Sequence, residues 1–239
     1  MEDYLAALEQ QPLPLNLGML VGGGTLRASV AGFACGALSP GALRALHRRM
    51  EQALAAGALG VSLGLGYAPE CFYTTDELME ALRPLAGGDV PVTVHMRQEG
   101  DHVVGSLREM LYVAKTLRIP LEISHLKSIG KRNWGRCSPE MLRLLAAVRE
   151  NGLDAACDMY PYTRGSTQLI HILPPECQNT ALEQLAQNLR DPAYRAQTRR
   201  RMEHDSDFEN ISLLCGWENV FVTSAAKEHN AWLLGMSVA

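Results

Sequence analysis

The stretch Pro91–Lys127, PVTVHMRQEGDHVVGSLREMLYVAKTLRIPLEISHLK, decides the fold. An apolar run at Pro91–Met96 is followed by an amphipathic stretch at Val103–Leu117 and a second apolar run at Leu121–Leu126. That is strand, helix, strand: one βαβ unit. Working outward, similar runs lie at Leu15–Val21, Leu59–Leu65 and Leu153–Met159, with amphipathic stretches at Ala42–Ala56, Thr75–Leu85 and Pro139–Asn151. Thr74-Thr75-Asp76-Glu77 offers a capping box, in which a Thr oxygen and a Glu carboxylate each satisfy a free backbone amide. Ser39-Pro40 and Ser138-Pro139 place Ser at the N-cap and Pro at the first helical position, and Gly57 and Gly152 stand where helices should stop. Repeated βαβ units with near-continuous apolar strands imply a parallel sheet buried on both faces. A doubly wound sheet and a (β/α)8 barrel both fit, but about five units are visible where a closed barrel needs eight. No Ser/Gly-rich linker or repeat divides the chain. It reads as one incomplete domain over residues 1–239, with a polar, Arg-rich helical segment at 176–210 and short apolar runs at Ile211–Cys215 and Val220–Thr223.

The composition excludes several classes. Of 239 residues 47% are hydrophobic and 20% charged, a balance that supports a packed core and argues against disorder. The net charge of −4 and pI near 6.0 provide no basic field for nucleic acid. No apolar run approaches the roughly 18 residues of a membrane span, and the acidic start MEDYLAALEQ is unlike a signal peptide. Six scattered Cys without a CxxC pair suit reduced thiols in the cytoplasm.

In parallel α/β folds ligands bind at the carboxyl ends of strands. His95 and His125 each end such a run, thirty positions apart, which is the length of one βα unit. They should therefore face one mouth from neighbouring strands, where two imidazoles can share a zinc. A buried His bonded to backbone is the plainer reading of either one taken singly. Lys127, two residues beyond His125, should point the same way by strand parity. It could hold a carboxylate, form a Schiff base, or be a solvated rim residue. The segment CDMYPYTRGST (157–167) brings a carboxylate, two phenols, a guanidinium and hydroxyls to a strand end, although Pro161 and Gly165 also suit a plain turn. Tyr67, after Gly64-Leu65-Gly66, could donate its hydroxyl into the mouth or simply pack. Gly22-Gly23-Gly24 invites a phosphate-loop reading, but Arg27 stands where the dinucleotide fingerprint needs its third Gly.

Taken together and in order, GALGVSLGLGY, TTDEL, HMRQEGD, ISHLK, NWG and D-x-YPYTRGST-x-L, between Gly57 and Pro175, resemble the N-acyl-D-amino-acid deacylases (D-aminoacylases) of the amidohydrolase superfamily. The resemblance implies an α/β fold of the (β/α)8 TIM-barrel metal-dependent hydrolase type, here as an incomplete barrel. It implies that zinc is the cofactor, that His95 and His125 are metal ligands, and that Tyr67, Lys127, Tyr160 and Ser166 line a substrate pocket. Lys127 and Tyr160 are expected near the substrate carboxylate and the scissile carbonyl. The implied reaction is zinc-dependent hydrolysis of an N-acyl-D-amino acid to a carboxylate and a free D-amino acid, with an Asp moving protons.

In that family an H-x-H pair and a Cys ligand lie upstream of the segment matching Glu2–Leu8, and the general-base Asp belongs to a later strand. Gly23 stands where the family often has His, and Gln98 where a smaller polar residue is common. Two His leave zinc short of the three protein ligands usual at a catalytic site, so this chain alone is expected to bind metal weakly and turn over little. Two unpaired sheet edges suggest self-association, or a covering of one edge by the C-terminal segment. A non-catalytic interaction module of the same fold and a Schiff-base barrel using Lys127 are the alternatives. His171 and Arg164 could meet a charged substrate side chain or only solvent.

Overall fold

The structure is a computed structural model and describes residues 1–239. Five short strands, β1 (Leu20–Gly22), β2 (Gly60–Gly64), β3 (Val92–His95), β4 (Leu121–Ile123) and β5 (Ala155–Cys157), form one sheet in chain order. All four pairings are parallel. Helix α1 (Glu2–Glu9) precedes the sheet, α2 (Gly23–Ala31) and α3 (Pro40–Ala55) connect β1 to β2, and α4 (Thr75–Leu82), α5 (Val103–Leu117) and α6 (Cys137–Glu150) make the remaining crossovers. This is the expected α/β fold with five units, an unclosed barrel.

The helix boundaries follow from their caps. Ser39 Oγ accepts from Ala42 N with Pro40 at the first helical position, and Thr74 and Glu77 complete a reciprocal capping box. Gly57 and Gly152, with φ of +106° and +86°, take the left-handed conformations that end α3 and α6. Ser138 departs from expectation. α6 begins at Cys137, behind an Arg136 that makes no side-chain cap, so Ser138 lies inside the first turn.

Alternate strand residues Val21, Val61, Leu63, Val92, Val94, Leu121 and Ile123 are buried in one core with Leu46, Met50, Leu78, Leu82, Leu107, Met110 and Met141 of α3 to α6. The intervening residues Ser62, Thr93, His95 and Glu122 are only half-buried. Burial on both faces, inferred from the apolar runs, therefore does not hold. The sheet does not close, so one face is packed by helices and the other is partly open. The outer runs are also shorter as strands than expected. β1 and β5 have one partner each, and residues Leu15 and Leu17 before β1 are exposed.

After β5 the chain turns through Leu169–Ile172 into α7 (Leu182–Asn188) and α8 (Pro192–His204), the polar helical segment expected at 176–210. Arg201 of α8 gathers Glu176, Asp205 and Asp207 and ties that segment to itself. Ile211–Cys215 forms a short helix, α9, and Phe221 meets Ser237 in an isolated antiparallel bridge. No helix is long and apolar enough to cross a membrane.

Candidate metal centre

His95 is the last residue of β3, in register with Gly64 of β2. Its ring needs the bare backbone of Gly66, because a Cβ there would lie 2.8 Å from His95 Nε2. His125 follows β4 by two residues, with φ at +42°, a conformation side-chain-bearing residues seldom adopt. Asp158, just past β5, holds that turn. Its Oδ1 accepts from His125 N and its carbonyl accepts from Leu126 N at 2.9 Å. Such strain at a strand end, fixed by a neighbouring strand, is a frequent mark of functional positions. The two imidazoles meet as their spacing requires, with His95 Nδ1 3.2 Å from His125 Nε2.

Glu99 joins them from the turn between β3 and α5. Its side chain is only 2% exposed. Its Oε1 lies 2.9 Å from His125 Nδ1 and 3.9 Å from His95 Nδ1, yet it makes no aligned hydrogen bond. The ligand atoms of the three residues fall within 4.8 Å of one another. Tetrahedral zinc, with bonds of about 2.0–2.2 Å, spaces its donor atoms about 3.4 Å apart, so two imidazoles and an under-bonded buried carboxylate suit such an ion.

Electrostatics separate the two rings. Burial pushes His95 down to about 4, leaving it neutral near pH 7 with a lone pair on one ring nitrogen. The Glu99 carboxylate beside His125 pushes that ring up instead. Burial works to raise Glu99, but His125, His95 and Lys127 outweigh it and hold the carboxyl below its ordinary value.

Lys127 converges on the same cluster. Its Nζ forms an ion pair with Glu99 Oε2 and lies 3.0 Å from His125 Nδ1. The expected direction holds, although the reason differs, since His125 and Lys127 lie beyond the strand in a turn where parity does not apply. Tyr67 stacks on His95 at 4.5 Å between centroids and touches His171 at 4.4 Å on its other side. Tyr160 has its ring 5.6 Å from Lys127 Nζ and 6.4 Å from the His125 ring. Ser166 lies on the exposed stretch 161–169 and makes no side-chain hydrogen bond, so no contact joins it to the cluster. Arg164 lies over Phe221, 6.0 Å from the ring centroid.

Three carboxylates carry weight that the sequence reading did not give them. Glu99 stood in the quoted motif, four residues after His95, but the turn that folds it back was not legible. Glu209 comes from the end of the polar segment and accepts from Glu99 N at 2.7 Å. Burial, and then the charge of Glu99, raises it to about 7. Glu70 answers the Gly22-Gly23-Gly24 question. Its Oε2 accepts from Gly64 N at 2.9 Å, and a Cβ on Gly23 would meet its Oε1 at 2.4 Å. The glycines admit an internal carboxylate to the start of α2, which leaves no room there for a phosphate.

A parallel α/β sheet with a His–His–carboxylate cluster at its strand ends could hold a metal ion. Several known proteins are similar to the chain. A D-aminoacylase of Alcaligenes xylosoxydans xylosoxydans is 40% identical over 167 residues, a match covering 70% of this chain and 34% of that protein. An N-acyl-D-glutamate deacylase of the same organism is 36% identical over 170 residues, covering 71% and 35% respectively. Among solved structures, one of D-aminoacylase described as defining a novel subset of amidohydrolases is 33% identical, with a TM-score of 0.64 over 83% of this chain and 44% of that one. The N-acyl-D-glutamate deacylase from Bordetella bronchiseptica, complexed with zinc and a phosphonate inhibitor, is 29% identical with a TM-score of 0.66 and the same coverage. No protein-family model matches the chain. The resemblance read from the motifs is borne out: the chain is similar to part of the D-aminoacylases, and it spans about a third of the length of these curated relatives.

Proposed function

We propose that this chain carries a central portion, a single partial barrel domain over 1–239, of a zinc-dependent N-acyl-D-amino-acid deacylase. The observation that carries this reading is the 3.2 Å approach of His95 and His125 at adjacent strand ends, with the under-bonded Glu99 carboxylate beside them. His95 and His125 would hold the metal. When bound, zinc supplies Lewis acidity for polarising an amide carbonyl and activating water. Lys127 offers a cation to the substrate carboxylate, as does Tyr160 a hydroxyl to the carbonyl region, while Tyr67, fixed between His95 and His171, forms an aromatic wall. Ser166 is assigned to the pocket by resemblance alone. A Schiff base at Lys127 is disfavoured, because an ammonium held in an ion pair with buried Glu99 lacks the free lone pair that attack requires.

Six unpaired thiols support a reducing, cytoplasmic setting. The unpaired edges of β1 and β5 support association of copies or covering by further chain. The test is release of free amino acid from N-acetyl-D- and N-acetyl-L-amino acids, with added zinc or with chelator. Slow, zinc-dependent hydrolysis of the D-series that His95→Ala removes is expected. Hydrolysis indifferent to zinc, to configuration or to His95 would contradict the reading.

A further inference from the structure

The ammonium of Lys127 lies where a bound cation would act. It pairs with Glu99 Oε2 and faces His125 Nδ1 at 3.0 Å, so it engages two of the three residues that could ligate a metal. His125 Nε2 in turn faces His95 Nδ1 at 3.2 Å. Glu99 Oε1 lies 2.9 Å from the same His125 Nδ1, so the Lys127–Glu99 pair engages one nitrogen of His125 while His95 faces the other. The side chains of Lys127 and Glu99 are 16% and 2% exposed, so the pair is shielded from water and a second cation beside it would be strongly repelled.

Building on the metal-site reading, we propose that Lys127 is a built-in cation that keeps the His95–Glu99–His125 site closed, and that a divalent metal enters only by displacing it. The displaced ammonium swings toward Tyr160, whose ring centroid it already approaches to 5.6 Å, and there becomes free to meet a substrate carboxylate. Lys127 is thus a positioning residue that couples the arrival of metal to the readiness of the anion site. Displacement exchanges one cation for another at Glu99, so the buried carboxylate keeps a cationic partner at every stage.

Zinc affinity, measured by competition with a chromophoric chelator, tests this directly on the full chain and on Lys127→Met, Lys127→Gln and a His95→Ala/His125→Ala double variant. Removing the ammonium frees the ligands of a charged hydrogen bond, so Lys127→Met is expected to bind zinc about ten- to a hundredfold more tightly than the parent chain. Lys127→Gln, which keeps a neutral donor for Glu99, should shift the same way and serves if the Met variant is poorly folded. The double His variant should not bind. If the parent binds zinc and both Lys127 variants bind equally or more weakly, the displacement proposal fails while the metal site stands. If the double His variant binds zinc as the parent does, the site itself is wrong.

Discussion

Replacing Glu99 by Ala is expected to destabilise the chain by about 3–5 kcal/mol, the largest effect of any single change at the centre. The side chains of Glu99 and Lys127 are both nearly excluded from solvent, and Glu99 is the one carboxylate in ion-pair contact with Lys127. Truncating Glu99 leaves an uncompensated ammonium against His125 and removes the group that draws His125 and His95 together. The loss should be read from urea unfolding at pH 7. Because the penalty is that of a stranded charge, Glu99→Ala/Lys127→Met should recover much of it, giving a coupling well outside the additive range. A single-variant loss below about 1 kcal/mol would mean that the pair is solvated in solution and the cluster looser than described.

A Glu70→Gln change should alter how stability depends on pH. Glu70 is buried at the start of α2, and that burial, only partly offset by the Gly64 amide, raises its carboxyl to about 7 from 4.5. Between those values the folded chain holds a proton that the unfolded chain releases. Stability from this group is therefore present at low pH and is lost as pH rises from about 4.5 through 7. The span corresponds to about 3 kcal/mol. Gln cannot ionise, so the stability of Glu70→Gln relative to the parent should climb by about that amount between pH 4.5 and 8. Glu209, raised for the same first reason, contributes to both proteins and cancels in the comparison. A pH-independent difference between the two would show that Glu70 ionises freely and is not enclosed as drawn.

What the sequence made legible follows the reach of its signals. Periodicity and caps placed α5 to the residue and α3, α4 and α6 within a few, because i to i+4 spacing and Thr74-to-Glu77 capping are local, whereas α2, with no such signal, was not expected. The pairing of His95 with His125 was legible too, because one βα unit fixes which strand ends are neighbours. Glu99 was not, since its role depends on a turn that folds it back beneath both rings. Glu209 lay further out of reach, as its contact with Glu99 spans 110 residues and no periodicity encodes it. Gly23 and Gly24 carried a signal that pointed the wrong way. Small residues after a strand do admit an anion, but here the anion is the chain's own Glu70. The half-open face of the sheet was also hidden, because apolar runs look alike whether one face or two are packed.

The most direct test of the account is zinc bound per chain at saturating zinc, read by equilibrium dialysis with elemental analysis, for the parent and for His95→Ala/His125→Ala. The account expects about one zinc per parent chain and almost none in the double variant, with both proteins giving the same far-ultraviolet circular dichroism. Equal zinc in the two proteins, or none in either, would contradict the strand-end centre on which the functional reading rests.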